Sequence, residues 1–385
     1  MFFVVSLERR LLTYTDCNRI LMQNSLDHFP LHHRVPSDGL GRPLLSAIVP
    51  CRNERRHIET CVRSLLAQER PQGGMEVIIV DGLSDDGTRE ILEELSKEHS
   101  ELRVVENPRR VTPCAMNAGI REARGQYIAI LGAHCDYASD YLRVCASLLK
   151  EHPEVGCVGG PIISVGKSLF GQAVAAAMSH PVGIGNARHR HPNFEGYAEG
   201  ACFPVFRKEV FEKVGLYDEM LVRNQDDELN YRFTKQGGKV FLSPRARATY
   251  FVRETVTSLF RQYFEYGYWR VAVLRKHRVP ASFRQIVPPL FMSLMAGSVI
   301  VGWLLPGWWK LLAGVLPVLY GTALLIAGLT QKGNRDWRVV LLFPVAASIL
   351  HIAYAWGVLY GIVKGADRGS GNDPSDKGAS FAAGA

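Results

Sequence analysis

The segment YIAILGAHCDYASDYL, residues 127–142, places His134 and Asp136 two positions apart, directly after an apolar run. If the chain stays extended there, residues two apart point to the same side. An imidazole and a carboxylate placed in this way can bind Mn²⁺ or Mg²⁺ together with phosphate oxygens. We therefore expect a divalent metal at His134 and Asp136, and a surface histidine without a ligand is the alternative.

A second candidate is the acidic triplet Asp226, Asp227 and Glu228, within GLYDEMLVRNQDDELNYRF. Carboxylates at a helix start are favoured by the helix dipole, which is a purely structural explanation. Three carboxylates within one turn also repel one another. This repulsion raises the pKa of some of them, which suits a general base.

The third candidate is SLFRQYFEYGYWRVAVLRK, residues 258–276, an aromatic and basic amphipathic segment. Such a segment is typical of a helix that lies on a bilayer surface. Its polar residues Arg261, Gln262 and Arg270 are also candidate diphosphate ligands, since arginine makes bidentate contacts with phosphate. The two interpretations are compatible.

Alternating strands and helices must position these side chains. Four apolar runs are predicted to be strands, and they are residues 44–50, 75–82, 103–108 and 126–134. A loop and a helical pattern follow each of the first three runs, so the predicted order is βαβαβαβ. This order predicts a mostly parallel sheet with helices on both faces. Ligands of such sheets bind beyond the carboxyl ends of the strands, so polar residues that follow the strands should converge there.

Asp81 ends the second of these runs. A carboxylate at that edge can accept hydrogen bonds from a nucleobase imide or a ribose hydroxyl, and a turn-forming aspartate is the alternative. Asp85 and Asp86 have the character of turn residues. No G-x-G-x-x-G motif follows the first strand, which argues against a dinucleotide cofactor site.

Three windows after the soluble part, residues 286–305, 311–329 and 339–363, contain no Asp, Glu, Lys or Arg. Each is long enough to cross a bilayer, so we predict three transmembrane helices. The basic connection 331–338 predicts a cytoplasmic loop, which places the catalytic domain on the cytoplasmic side of the cell's inner membrane. The basic residues in 270–284 face anionic lipid and explain the net charge of +8 without nucleic acid.

The segment SLFGQAVAAAMSHPVGIG, residues 168–185, is apolar but too interrupted to span. It either lies along the bilayer near an acceptor or forms a buried loop or helix. Eight cysteines without regular spacing predict reduced thiols and no zinc ribbon or disulfide framework. The short apolar run before Glu8 predicts no signal peptide.

These patterns divide the chain into five parts. They are an N-terminal extension (1–43), a catalytic α/β domain (44–257), an amphipathic interfacial segment (258–285), three transmembrane helices (286–363) and a disordered tail (364–385). The sequence makes no prediction of oligomeric state.

Four stretches together resemble the family 2 glycosyltransferases, whose nucleotide-sugar-binding fold is called GT-A. They are SAIVPCRNE, VIIVDGLSDDGT, NAGIREARGQYIAILGAH and RNQDDELNYRF. With RQYFEYGYWR and three terminal spans, the chain is most similar to the exopolysaccharide glucosyltransferases of the succinoglycan type. The resemblance implies inverting transfer from a nucleotide diphosphate sugar, usually UDP-linked, to a hydroxyl of a polyprenyl-linked acceptor.

The resemblance also assigns residues. Pro50, Glu54 and Asp81 would hold the nucleoside, and Asn117 belongs to a stretch of the donor site. The metal-binding D-x-D pattern falls on residues 132–134, so that His134 takes the place of the coordinating aspartate. The first carboxylate of that pattern is replaced by glycine. We infer, apart from the family pattern, that Asp136 would supply the lost charge.

The catalytic E-D pair of the family falls on Gln225 and Asp226, which selects Asp226 as the base. The implied mechanism is one in-line displacement, with Asp226 taking the acceptor proton. A metal at His134 and Asp136, with Arg261 or Arg270, would neutralise the departing diphosphate.

Three alternatives remain. One is a synthase that charges polyprenyl phosphate with a single sugar. Another is a catalytically inactive membrane component that binds a nucleotide sugar, which the glycine at 132 and Gln225 favour. A processive polysaccharide synthase is less well supported, because three spans leave little room for a channel and no Q-x-x-R-W motif occurs.

Overall fold

The computed structural model describes residues 42–133, 135–185, 187–278, 285–307, 309–331 and 336–365. The predictions for His134, for almost all of the N-terminal extension and for nearly the whole tail lie outside these residues.

The strands of the described residues form two sheets. Their bounds are β1 Leu45–Cys51, β2 Met75–Asp81, β3 Leu102–Glu106, β4 Tyr127–Ile130, β5 Cys135–Tyr137, β6 Cys157–Gly160, β7 Ile162–Val165, β8 Gly196–Ala198, β9 Cys202–Arg207, β10 Val240–Leu242 and β11 Ala248–Phe251. The larger sheet has the order β3-β2-β1-β4-β9-β6-β10-β8, and the smaller has the order β5-β11-β7.

The helices surround and follow these sheets. Their bounds are α1 Ile58–Leu66, α2 Thr88–Glu98, α3 Thr112–Glu122, α4 Tyr141–Glu151, α5 Leu169–Ser179, α6 Pro181–Ile184, α7 Glu209–Val214, α8 Gln225–Lys235, α9 Val256–His277, α10 Val287–Leu304, α11 Trp309–Thr330 and α12 Trp337–Lys364, with a 3₁₀ turn at Arg188–Arg190.

The predicted parallel sheet is confirmed for its first half. Strands β3, β2, β1 and β4 are parallel neighbours, and β9 joins them antiparallel beside β4. Cys51 lies opposite Asp81 in the register of β1 and β2. The first two loops therefore leave the sheet side by side at its carboxyl edge, where sheets of this kind bind ligands.

Helices cover both faces of the large sheet, as predicted. Alternate β1 residues point to opposite faces. Leu45 and Val49 belong to a core with Ile58 of α1, whereas Ile48 belongs to a second core with Leu229 of α8. The second core buries one side of α8 and so determines which of its side chains remain available.

The three predicted apolar windows form α10, α11 and α12. Within them, Val287–Leu304, Ala313–Thr330 and Trp337–Lys364 are long and apolar enough to cross a membrane. They follow the α/β domain through α9, whose residues Tyr268 and Trp269 are buried.

Glycines let α9 and α12 approach each other closely. A Cβ atom on Gly267 would lie 2.1 Å from the Tyr354 carbonyl oxygen, and one on Gly357 would lie 2.1 Å from that of Phe264. Small residues at crossing points allow this backbone approach between apolar helices. The 168–185 segment also packs on α12, because Ala173 and Ala177 of α5 share a core with Phe343. The buried-helix alternative therefore describes this segment.

Candidate active site

Hydrogen bonds between the two loops build one wall of the site. Asn53, in the left-handed region at φ 57°, donates its backbone N–H to Ser84 Oγ at 2.8 Å and accepts from the Asp85 N–H through Oδ1 at 3.0 Å. The Glu54 N–H donates to Thr88 Oγ1 at 2.8 Å. These bonds hold residues 52–55 against residues 81–88, and we call the pair the donor edge.

Asp81 lies at the base of the donor edge and is buried. Its carboxylate accepts the Ser84 N–H at 3.0 Å and the Ser84 hydroxyl at 2.5 Å. The Nε atom of Arg89 lies 4.0 Å from Oδ2. Asp81 thus forms the turn that sequence analysis offered as the alternative to a nucleoside contact, and it has a basic neighbour in space. Pro50 precedes Cys51 on β1, and Glu54 of the loop that follows is buried.

Asn117 of α3 holds another segment in place. Its amide donates to the Tyr217 carbonyl and to Glu219 Oε1, both at 2.9 Å, and its Oδ1 accepts the Tyr217 N–H at 3.0 Å. The side chain is buried. These three bonds use the amide internally, so Asn117 positions the loop before α8 and does not extend into the crevice.

The acidic triplet at the start of α8 divides into three different environments. Glu228 is fully buried and contacts Arg232 Nε, Lys276 Nζ and His277 Nε2. Asp227 pairs with the buried guanidinium of Arg270. Glu228 therefore forms an ion pair within α8 and also contacts α9, and Asp227 links α8 to α9.

Asp226 is the member of the triplet left for chemistry. Among the described residues its carboxylate accepts one hydrogen bond, from the Asp227 N–H at 2.9 Å. Asn224 lies just before α8 in the left-handed region at φ 59° and donates to the Tyr266 carbonyl at 2.9 Å. This bond fixes the helix start against α9, and asparagine tolerates the left-handed conformation better than most residues.

The surroundings of Asp226 shift its titration toward neutral pH. Protein atoms crowd around the carboxylate, and this loss of water, followed by the negative charge of Asp227, raises the pKa of Asp226 to about 6. The positive charge of Arg270 opposes the shift. The residue as a whole is exposed to solvent. A carboxylate that is accessible and has a pKa near the working pH is suited to general base catalysis.

Arg190 is a candidate that the sequence analysis above does not single out. Its Nη1 donates to Ser164 Oγ at 2.9 Å, and its guanidinium lies 5.3 Å from the centre of the Tyr250 ring. Its buried Nε has no hydrogen-bond partner within the described part of the chain. The RHR motif at 188–190 carried a signal of positive charge but could not show which arginine turns inward.

Arg190 and Asp226 act electrostatically on one group, the Cys202 thiol of β9. Burial raises the pKa of Cys202 to about 11, with Arg190 opposing this shift and Asp226 and Asp227 adding to it. The charges of the arginine and of both aspartates therefore act on the same sulfur atom. A cation in this region is suited to neutralising a departing diphosphate.

The polar residues predicted on α9 face this region in part. Gln262 donates to the Tyr250 hydroxyl at 2.8 Å, so it lies next to Arg190, and its buried Oε1 has no partner among the residues described. Arg261 pairs with Glu265 at 3.0 Å and is half exposed. Arg270 contacts Asp227 at the start of α8. Gln262 and Arg270 thus have different hydrogen-bond partners.

The described residues do not form a resident metal centre. Outside the omitted positions, which include His134, no three His, Cys, Asp or Glu side chains cluster closely enough to hold a metal ion. Asp136 is exposed on β5, opposite Thr249 of β11. One or two protein ligands do fit a cation that arrives with the donor, because Mg²⁺ is usually held by one or two carboxylates plus substrate phosphates.

Comparisons with known proteins decide the family. A model of glycosyl transferase family 2 matches residues 46–215. Succinoglycan biosynthesis protein ExoA of Rhizobium meliloti (strain 1021) is 32% identical over 330 residues, which are 84% of this chain and 96% of that protein. The chain belongs to glycosyltransferase family 2. The predicted resemblance is therefore confirmed.

Two further relatives extend along most of this family 2 glycosyltransferase. The dolichyl N-acetyl-alpha-D-glucosaminyl phosphate 3-beta-D-2,3-diacetamido-2,3-dideoxy-beta-D-glucuronosyltransferase of Methanococcus voltae is 25% identical, covering 83% of this chain and 98% of the relative. The mannosyltransferase PcManGT from Pyrobaculum calidifontis, solved with GDP-Man and Mn²⁺, superposes with a TM-score of 0.53 at 22% identity over 88% of this chain and 93% of its own. The latter likeness supports the GT-A fold.

Proposed function

We propose that this glycosyltransferase transfers a sugar, with inversion, from a nucleotide diphosphate sugar to a hydroxyl of a lipid-linked acceptor. The observation that carries the proposal is Asp226, the one acid of its triplet whose carboxylate is not in an ion pair among the described residues. Its pKa of about 6 makes it ionised and basic near neutral pH. Asp226 would remove the acceptor proton while the diphosphate leaves from the opposite face of the sugar.

The requirement for a base favours a hydroxyl acceptor over a phosphate acceptor. A sugar hydroxyl is a weak acid and must lose its proton as it attacks, whereas a phosphate oxygen is already anionic and needs no base. The isolated and accessible Asp226 therefore favours extension of a glycolipid over charging of a bare polyprenyl phosphate.

We assign the donor to the donor edge and to the cations next to it. Asp81, with Pro50 and Glu54 of the neighbouring loop, would contact the nucleoside, which we propose to be uridine. Arg190 would hold the diphosphate, since its buried Nε–H lacks a partner in the described ranges, and Gln262 beside Tyr250 would accept a hydroxyl of the donor at its open Oε1. Arg261, half exposed on α9, would add charge at the mouth of the site.

The names of two relatives support a lipid-linked acceptor in cell-surface glycan synthesis. One relative acts in succinoglycan biosynthesis and the other is named for a dolichyl-linked sugar phosphate. Three helices long enough to span a bilayer would bring such an acceptor next to the α/β domain. We propose that the protein is a multi-pass protein of the inner membrane with its catalytic domain in the cytoplasm.

A divalent cation would accompany the donor, held by Asp136 and His134 together with the diphosphate oxygens. When bound, it would neutralise part of the leaving-group charge, a task it would share with Arg190. A thermal-shift series with UDP- and GDP-hexoses, with and without Mn²⁺, tests this assignment. We expect Mn²⁺ to increase the donor-induced rise in Tm, and Asp136→Asn to reduce that increase. If the donor raises Tm equally in excess EDTA, the arginines alone would neutralise the charge of the diphosphate.

Product analysis tests the proposed reaction. The purified full-length protein is supplied with the donor identified above and with two acceptors, a farnesyl diphosphate-linked hexose and bare farnesyl phosphate. We expect one sugar to be added to the glycolipid, in the inverted configuration. Transfer to bare farnesyl phosphate alone would establish the polyprenyl-phosphate synthase instead. Absence of both transfer and donor hydrolysis would establish the inactive binding component.

A further inference from the structure

A cavity of about 420 Å³ lies where the α/β domain meets the apolar helices. This volume is in the range of small-molecule sites. Its polar end is formed by Asp227, Arg270 and Gln285, and its apolar wall includes Val287, Phe291 and Leu350. The cavity therefore has a charged end beside α8 and an apolar end along α10 and α12.

Arg270 is the feature of this cavity that most needs a partner. The residue is 7% exposed, and one of its nitrogens donates to Asp227. Its Nε and Nη1 atoms have no hydrogen-bond partner among the described residues. Buried donors of a charged group are normally satisfied, so two open positions on one guanidinium indicate a missing acceptor. The open Nε–H and Nη1–H groups point in different directions, and each can donate to an anionic oxygen such as that of a phosphate.

Two other polar side chains of the cavity differ in whether they are available to a ligand. Gln285 has a buried Oε1 atom without a partner in the part of the chain described, which can accept a sugar hydroxyl. His351 is already committed, because its Nε2 contacts the carbonyl oxygens of Val182 and Gly183 at 2.9 and 2.8 Å, and its Nδ1 contacts the Tyr320 hydroxyl at 2.8 Å. His351 thus fixes α6 to α12 as a wall, and Arg270 is left as the anion ligand.

We propose that this cavity binds the phosphate end of a prenyl-type lipid, with the phosphate on Arg270 and the first isoprene units against α10 and α12. The proposal rests on the proposed function and names its acceptor class. A nucleotide donor fits the cavity poorly, because the cavity wall beyond Arg270 is apolar and belongs to helices long enough to cross a membrane. A chain that leaves the cavity between such helices enters hydrocarbon without exposing apolar surface to water.

The position of the phosphate limits the length of the acceptor. Arg270 contacts Asp227, and the Asp227 N–H contacts the Asp226 carboxylate. The ligand of the phosphate and the base are therefore linked through two adjacent residues, so the cavity and Asp226 belong to one acceptor site. This arrangement favours an acceptor whose reacting hydroxyl lies on a sugar near the lipid phosphate.

Binding of a lipid phosphate can be tested without turnover. Full-length protein in dodecyl maltoside micelles is titrated with geranylgeranyl phosphate, and with geranylgeraniol or inorganic phosphate at equal concentration, and Tm is recorded. We expect the lipid phosphate to bind roughly tenfold or more tightly than the alcohol, because the charged hydrogen bonds are lost with the phosphate. Equal binding of the alcohol, or of inorganic phosphate alone, would overturn the proposal.

Variants locate the site. Arg270→Gln should remove the preference for phosphate over alcohol, whereas Arg275→Gln, an exposed arginine on the same helix, should retain it. Arg270→Lys keeps the pairing charge for Asp227 and should show weaker but still phosphate-dependent binding, which decides the matter if the glutamine variant does not fold. Retention of wild-type binding by both Arg270 variants would place the lipid elsewhere.

Two further arms separate this proposal from the proposed function. Asp226→Asn should bind geranylgeranyl phosphate as the wild type does, because the base is not a phosphate ligand. UDP should leave lipid binding unchanged. If UDP displaces the lipid, Arg270 would instead be a ligand of the donor diphosphate. Donor turnover without lipid binding would refute only the cavity assignment, and lipid binding without donor turnover would refute only the enzymatic function.

Discussion

The donor edge and the opposite side of the active site satisfy their polar groups in different ways. At the donor edge the loops bond mainly to each other, as Asp81 does with Ser84 and Asn53 does with the same side chain, and Arg52 Nε is the one buried atom of this edge without a partner in the described ranges. The opposite side, which we call the helix wall, consists of Arg190, Gln225, Gln262, Arg270 and Gln285. Each member has a buried polar atom without a partner in the described ranges.

This difference indicates which region exists before a ligand arrives. The donor edge is held in shape by its own hydrogen bonds, so a nucleoside would meet a surface that is already formed. The helix wall buries polar atoms that only a ligand or water would satisfy, which costs stability in the free protein. Such a cost is tolerated where it serves binding of charged groups.

The largest effect is expected at Asp226, where the two regions meet. Asp226→Asn removes the base, and we expect transfer to fall roughly 10²- to 10⁴-fold while donor binding is retained. Steady-state transfer and donor-induced Tm shifts measure the two quantities. A variant that retains a tenth or more of wild-type turnover would show that the base is another residue.

The next effect is expected at Arg190 in the helix wall. Arg190→Gln removes a cation beside the leaving diphosphate and should lower kcat roughly 10²- to 10³-fold. Arg188→Gln is the matched control, because Arg188 lies in the same 3₁₀ turn and is exposed. Equal losses in both variants would mean that the loop as a whole, and not the inward arginine, matters.

At the donor edge, substitution should affect folding. Asp81→Ala breaks two hydrogen bonds to Ser84, and we expect the free energy of unfolding to fall by about 1–3 kcal/mol. Asp85→Ala should change it by less than about 0.5 kcal/mol, since Asp85 is exposed and contributes only its backbone N–H to the loop contacts described. Denaturant unfolding compares the two variants. If Asp81→Ala leaves stability unchanged, the donor edge is not held in the way described.

The smallest effect is a shift of the pH profile. Asp226 acts as a base only when ionised, so the transfer rate should rise as pH increases through about 6. Asp227→Asn removes the charge that raises this pKa and frees Arg270 from its pair, so the acidic limb should move to lower pH by roughly one pH unit. Arg270→Gln should move it to higher pH. If the acidic limbs of the two variants shift in the same direction, or do not shift, the result would contradict this electrostatic explanation.

Much of the fold was predictable because its signals are local. The β-branched run at Met75–Asp81 and the three uncharged windows define a buried strand and apolar helices without reference to distant residues. The acidic triplet was visible for the same reason, but its three members look alike in sequence. The family resemblance, and not the spacing, selected Asp226, and the structure supplies the physical reason.

Asp226 is the available acid because the other two members of the triplet have partners that are distant in the sequence. Glu228 is occupied by Lys276 and His277, and Asp227 by Arg270, all on a helix some 40 residues later. Arg190 faces the same site because Ser164 and Tyr250 orient it. Sequence by itself determined the elements and the types of chemical group available. Only tertiary packing decided which groups are neutralised by partners and which remain open to a ligand, because electrostatic and hydrogen-bond partners are set by distance in space.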